Sequence, residues 1–381
     1  MARKTRQVNV GSPDWILFLA VLGLAALGLM LVYSSTSDMG YQLDGDPALF
    51  FRRQFQLLGV GLVAMFIASR ISYHHLMKFS IPIMGLALAT LAALVLFKHG
   101  RLLFGQSVSP AEPAKLAMII YIAHWLSSKE GLLGTLPYGL LPFTIMVGVI
   151  TGLVMAQPDI SEALLIVLVS VAMFFMAGAD VIQFVIGIVG GGAAFAFVVT
   201  QLPHAMDRLR PYIQEFRDPL HSINFQLQQG LLALGSGGLL GLGAGSGRMK
   251  YQWLPTPHPD SIFAIAGEEL GFVGCLLIIG LFVVVAFRGI RIAGQAPDSF
   301  GRLLALGITC WFTFQALMNM ASVTGTIPFT GIALPFISVG GSSLVTCLVG
   351  VGILLSVSRS AVDQEAAGWS RATIADQGER A

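Results

Sequence analysis

Long apolar runs alternate along this chain with short breaks rich in charge, proline or glycine. The runs fall near residues 14–34, 54–70, 80–97, 113–127, 138–156, 160–177, 181–200, 262–287, 302–323 and 337–358. An apolar run of about 20 residues predicts a membrane-spanning helix, because a rise of about 1.5 Å per residue must cover about 30 Å of hydrocarbon. Helix is the required form, since an open sheet leaves backbone groups unpaired in lipid. The expected fold is therefore all-α: a polytopic transmembrane helical bundle of about ten spans, forming a single membrane domain over residues 1–381. One break stands apart. Residues 201–261 make a long loop before the eighth span, and function concentrates in such connections.

Composition agrees with this pattern. Of 381 residues 55% are hydrophobic and 11% charged, where a soluble domain carries about 25% charge, and the mean hydropathy is +0.78. A formal net charge of +2 with scattered cations gives no nucleic-acid footprint. Arg3, Lys4 and Arg6 precede a first run that has no small-residue cleavage site, so a retained helix is expected rather than a signal peptide. Cys275, Cys310 and Cys347 fall inside apolar runs at no metal-ligand or disulfide spacing and read as core residues.

Charge also orients the spans. With the N-terminus in the cytoplasm, the inside segments hold Arg3, Lys4, Arg6, Arg70, Lys78, Lys129, Arg288, Arg291, Arg302, Arg359, Arg371 and Arg380, against Arg52, Arg53, Lys98 and Arg101 in the short outer loops. This bias predicts both termini inside, with 360–381 as a cytoplasmic tail and the 201–261 loop outside.

Ionisable groups at membrane depth are costly and point to sites by default. Glu112 and Lys115, three apart at the start of the fourth run, share a helix face and can neutralise each other. Asp159 either caps the sixth helix or lines a cavity; Glu162, Glu268 and Glu269 also need partners. Asp260, beside His258 where the long loop re-enters the membrane, either caps the eighth span or acts as a base. Gly235 to Gly247 either cradles an anion or forms tight turns; it lacks the Gly-Lys-Ser/Thr ending of a nucleotide loop. Gly190, Gly191 and Gly192 suggest a kink or close packing in the seventh span, and Gly340-Gly341-Ser342-Ser343 suggests close helix contact.

Five blocks, taken in order, resemble the SEDS family. Leu254 to Ala264 with Gly267-Glu268-Glu269-Leu270-Gly271 resembles Leu-Pro-Glu-x-His-Thr-Asp-Phe-Ile-Phe-Ala and Glu-Glu-Leu-Gly. Pro110 to Lys115 resembles Pro-Ser-Glu-x-x-Lys, and Gln157-Pro158-Asp159 resembles Gln/Glu-Pro-Asp. Gln229 to Gly238, which includes Ser236, resembles Gln-Ser-x-x-Ala-x-Gly-Ser-Gly-Gly. Thr330 to Ser338 with Gly340 to Leu344 is the closest block. Thr256, Pro259 and Ser261 depart from the pattern around Asp260, as Ser161-Glu162 does after Asp159.

The resemblance implies a peptidoglycan glycosyltransferase in a bacterial cytoplasmic membrane. It would polymerise lipid II at the outer face, beside a class B penicillin-binding protein and other divisome or elongasome proteins. Asp260 would be the catalytic base. Arg101, Glu112, Lys115, Asp159, Arg208, Arg210, Gln229, Ser236, Lys250, His258 and Ser338 would bind substrate, with a divalent cation, Mg or Mn, as an option beside the cations. Phe50-Phe51-Arg52-Arg53-Gln54 leans toward FtsW-like members. Two other classes compete. A lipid II flippase would use charges near the bilayer midplane, and a non-catalytic scaffold for a cell-wall synthase would tolerate loop substitutions.

Overall fold

A computed structural model describes residues 13–97, 109–131, 133–134, 139–157, 159–201, 206, 212, 225–247 and 260–379. Among them lie eleven α-helices: α1 (Trp15–Asp44), α2 (Leu49–Arg70), α3 (His74–Leu96), α4 (Ala111–Ser128), α5 (Leu141–Met155), α6 (Ile160–Met176), α7 (Val181–Gln201), α8 (Phe225–Ser236), α9 (Ile262–Gln295), α10 (Ser299–Val323) and α11 (Gly341–Glu379). All ten predicted spans correspond to helices, and this is a multi-pass membrane protein. Among the described residues seven helices are long and apolar enough to cross on their own, while α5 and α6 are shorter. Helix α8 is the addition: it lies inside the segment expected to be a loop.

Several boundaries move for identifiable reasons. Helix α1 runs ten residues past its apolar stretch because Ser35 and Thr36 donate to the Val32 carbonyl at 3.3 and 2.7 Å, keeping hydroxyls paired within the helix. It stops at Gly45, which adopts the left-handed conformation (φ 68°). Helix α11 begins at Gly341 rather than near 337, because Leu334 to Ser338 close a turn: the Ser338 N–H donates to the Leu334 carbonyl at 3.0 Å and the Leu334 N–H donates to Ser338 Oγ at 2.8 Å.

Helix ends sort onto two faces. At one, Arg288 forks onto Asp14, with Nε 2.8 Å from Oδ2, and the Asp14 N–H donates to Ser358 Oγ at 3.4 Å. Arg359 Nη1 donates to the Ser69 carbonyl at 3.1 Å, and Tyr73 Oη donates to Asp298. The start of α1, the end of α2, the ends flanking α9 and α10, and the exit of α11 therefore share this basic face. The starts of α4, α6, α9 and α11 lie at the other. Small residues let the helices close up, as at α2 and α11, where a Cβ on Gly352 would sit 2.5 Å from the Met65 carbonyl. Helix α10 is largely buried, its polar residues Thr309, Gln315, Asn319 and Ser322 included.

Neither the kink nor the close packing suggested at Gly190 to Gly192 is found. Helix α7 is continuous there, and an added Cβ at each of the three would meet open space. The break lies in α9 at Gly271 (φ 68°, ψ −168°). Residues 237–243 repair it reciprocally. Leu242 and Gly243 donate to the carbonyls of Glu268 and Glu269, both at 3.0 Å, while Phe272 and Val273 donate to the carbonyls of Gly238 and Leu239 at 2.9 and 3.1 Å. A Cβ on Gly271 would overlap the Gly241 nitrogen, so both close approach and backbone angle demand glycine.

Candidate active site

Helix α10 carries the groups that organise the mouth of the bundle. Gln315 and Asn319 are four apart and share one helix face, turned to the non-helical segment 328–338. Gln315 Nε2 donates to the Ala333 carbonyl at 2.9 Å, and Asn319 Nδ2 donates to the Ile332 carbonyl at 2.7 Å. Ser161 Oγ, on α6, donates to the Thr330 carbonyl at 2.5 Å, and Gln54 Nε2, on α2, donates to the Ser338 carbonyl at 3.2 Å. Against α1 the contact is closer still: a Cβ on Gly28 would lie 2.7 Å from the Phe336 carbonyl. Irregular backbone at this depth is tolerated only where protein satisfies it. Phe336 holds φ +65°, a conformation that costs a non-glycine residue about 1–3 kcal/mol and marks functional sites more often than chance.

Below this segment lies a buried ion cluster. Lys115 Nζ is 2.9 Å from Glu112 Oε2 and 2.8 Å from Glu162 Oε2. Its third donor goes to Gln315 Oε1 at 3.1 Å, which also accepts from Trp311 Nε1 at 2.6 Å. The expected pair is thus a triad: Lys115 is 1% exposed, Glu112 6% and Glu162 8%. Glu112, Lys115 and Glu162 occupy the first turns of α4 and α6, within roughly 8 Å of their helix starts at about 1.5 Å per residue. That places the charges near the mouth rather than at a midplane.

Asp260 stands at the same end. The Asn319 amide that holds Ile332 also donates to the Asp260 carbonyl at 3.0 Å, so the backbone of the loop carboxylate is fixed to α10. Of the two readings of Asp260, the cap is not borne out: the cap position falls to Ser261, whose side chain makes no capping bond, and Asp260 is one residue outside the helix. Asp159 does cap: its Oδ1 accepts from the Glu162 N–H at 3.4 Å. It joins the triad to the mouth, because the residue it caps through is a triad member.

Other candidates are placed differently. The buried Gln229 side chain has no acceptor role for its Oε1 among the described residues. Ser236 Oγ donates to the Ala233 carbonyl of its own helix at 2.8 Å. Ser338 closes the turn described above. The glycine segment forms tight turns: its Leu242 and Gly243 N–H groups donate to the Glu268 and Glu269 carbonyls and its Gly245 N–H to the Glu269 carboxylate, so these three donors are committed within the protein. Glu269 Oε1 also accepts from Ser34 Oγ at 2.5 Å. Arg101, Arg208, Arg210, Lys250 and His258 lie outside the described residues. No group of three His, Cys, Asp or Glu side chains among the described residues could hold a metal ion.

The sequence marks Glu162 as needing a partner without identifying Lys115, and does not single out the amides Gln315 and Asn319. A signal existed for the amides: two polar groups at helical spacing inside an apolar run. Between α5, α6 and α7 opens an apolar cleft of about 460 Å³, lined by Phe143, Gly148, Gly152, Phe174, Gly187 and Gly191, among others.

The family model described as "Cell cycle protein", covering FtsW, RodA and SpoVE, matches residues 14–363. The chain is 37% identical over 357 residues to a probable peptidoglycan glycosyltransferase FtsW of Trichlorobacter lovleyi, covering 91% of this chain and 93% of the other. It is 39% identical over 359 residues to stage V sporulation protein E of Bacillus subtilis, covering 91% and 97%. Among solved structures it resembles a chain of a peptidoglycan synthase complex that coordinates polymerization and crosslinking, with TM-score 0.72, 26% identity and coverage of 92% and 98%. The rod shape determining protein RodA of Thermus thermophilus superposes with TM-score 0.65 at 26% identity, over 92% and 97%.

Proposed function

Because the chain belongs to the FtsW, RodA and SpoVE family, we infer that it is a peptidoglycan glycosyltransferase, and we propose that Asp260 is its general base. The 4-hydroxyl of an acceptor GlcNAc attacks the anomeric carbon of a donor MurNAc, undecaprenyl pyrophosphate leaves, and the Asp260 carboxylate takes the hydroxyl proton. Direct attack inverts an α-linked donor to a β-linked product, so one base suffices and no covalent enzyme intermediate is needed. The observation that carries this reading is the pair of hydrogen bonds donated by the Asn319 amide, which ties Asp260 to the strained 328–338 segment at the mouth where the buried triad also ends. A base whose backbone is fixed to a rigid helix keeps its geometry.

The basic face, with Arg70, Arg288, Arg302 and Arg359, fits the cytoplasmic side, and this supports an outward-facing Asp260. The leaving pyrophosphate is already ionised, and what it needs is positive charge; Arg101, Arg208, Arg210 and Lys250 are the proposed sources. No described residue is assigned to a Mg or Mn ion. The cleft between α5, α6 and α7 suits the prenyl chain, being apolar and open to lipid. A class B penicillin-binding protein is the proposed partner, which would crosslink the strands made here. A flippase gains no support from the triad, whose charges sit near one face and are mutually committed.

Purified protein given lipid II, with and without the penicillin-binding partner, tests the assignment by resolving glycan strands on a gel. Wild type is expected to form strands and Asp260→Asn to form none. Strands from the Asn variant at the wild-type rate would remove Asp260 from the role.

A further inference from the structure

On the basic face, α1, α2 and α11 leave a groove of about 590 Å³ between them, within the range of about 300–1,000 Å³ typical of small-molecule clefts. Its walls are apolar: Phe18, Leu62, Met65 and Phe66. Trp15, the first residue of α1 and 59% exposed, stands at its rim, where indole rings mark the level of lipid headgroups. At the same end lie two guanidinium groups, Arg70 and Arg359.

The charges around this end are unequally matched. Asp14, the acid beside the groove, is engaged by Arg288, with Nη2 2.5 Å from Oδ2, and caps α1 through the Leu17 N–H at 3.0 Å. Arg70 lies over the Phe66 ring, 4.8 Å from its centroid, and Arg359 donates to the Ser69 carbonyl. Neither guanidinium meets a carboxylate among the described residues. Each keeps N–H donors in the fork geometry that matches phosphate oxygens.

We propose that this groove is a binding site for one anionic diacyl phospholipid of the surrounding leaflet, with its phosphate between Arg70 and Arg359 and an acyl chain along Phe18, Leu62 and Met65. A soluble anion would use the arginines but leave the apolar wall without purpose. A zwitterionic lipid would fill the wall, but its own cation would offset the attraction at the arginines. An anionic phospholipid satisfies both, as basic pockets between membrane helices commonly do. This site is independent of the glycosyl-transfer assignment, since it lies on the opposite face.

Native mass spectrometry of the delipidated protein, titrated separately with dioleoyl phosphatidylglycerol and dioleoyl phosphatidylcholine, tests it. The expected result is one saturable phosphatidylglycerol adduct, weakened about tenfold or more, equivalent to about 1.4 kcal/mol, by Arg70→Gln with Arg359→Gln. Arg291→Gln, which removes an exposed cation elsewhere on α9, is expected to leave the adduct unchanged. Arg70→Gln alone guards against misfolding, because the exposed Arg70 side chain supports no protein hydrogen bond comparable to that of Arg359. Leu62→Trp, which fills the groove but keeps both arginines, is expected to weaken binding as well. Equal affinity for the two lipids, full binding by the double Gln variant or by Leu62→Trp, or displacement of the lipid by excess inorganic phosphate would each overturn the proposal.

Discussion

Replacing Lys115 by Met tests how the bundle tolerates its own buried charge. The ammonium has three donors, and the structure gives each an acceptor: Glu112 at 2.9 Å, Glu162 at 2.8 Å and Gln315 at 3.1 Å. Methionine keeps most of the volume and removes all three bonds. Two carboxylates are then left facing each other in the interior with no cation between them. Removing one partner of a buried ion pair costs about 3–5 kcal/mol, and with two acids orphaned the upper end of that range is expected. The three-fold variant Glu112→Gln, Lys115→Met, Glu162→Gln removes every charge at once, a change that in buried clusters is neutral or stabilises by about 1–4 kcal/mol. Unfolding by SDS titration in mixed micelles measures the difference, and the strand assay run in parallel measures activity. The single variant should lose several kcal/mol, the triple variant should recover most of it, and strand synthesis should stay low in both because the amide network at the mouth has lost its anchor. A single variant as stable as wild type, or a triple variant less stable than the single one, would refute the charge argument.

Two further substitutions follow from the backbone. Gly271→Ala should destabilise the protein by about 2 kcal/mol or more, since backbone angles of φ 68° and ψ −168° are open essentially to glycine alone and cost other residues about 1–3 kcal/mol, and the new methyl overlaps Gly241; a melting point equal to wild type would contradict this. Asn319→Leu leaves the carbonyls of Asp260 and Ile332 without their donor, at about 1–3 kcal/mol for each unsatisfied group. Its strand synthesis should fall more steeply than its stability, and activity at the wild-type level in a folded sample would show that the tether does not position the base.

Hydropathy made the ten spans legible because lipid imposes one requirement on each span separately. Helix α8 was not legible in that way: its apolar stretch is too short to cross, and its place depends on the α9 break. The partnership of Glu112 and Lys115 could be read from their spacing of three, a local property of one helix. Glu162 could not, because its approach to Lys115 is set by how α4 and α6 pack, and nothing near it in sequence records that. The glycine runs misled for a similar reason. Three consecutive glycines in α7 meet open space, whereas the single Gly271 meets another backbone; only the neighbour, absent from the local sequence, distinguishes them. Asp260 is a candidate by motif and by its position at the end of a long connection, but the Asn319 tether joins residues that only the folded bundle brings together.

The reciprocal bonding of residues 237–243 with the α9 break has a bearing on any attempt to build hybrids between relatives. Four backbone bonds cross between the two stretches, so neither has a complete set of partners without the other. A graft that imports the glycine stretch alone, with its own spacing of turns, would strand carbonyls and amides of the recipient's helix inside the bilayer. Exchangeable units in this architecture therefore have to be drawn across the chain's order, with 237–243 and 267–273 moved as a single cassette.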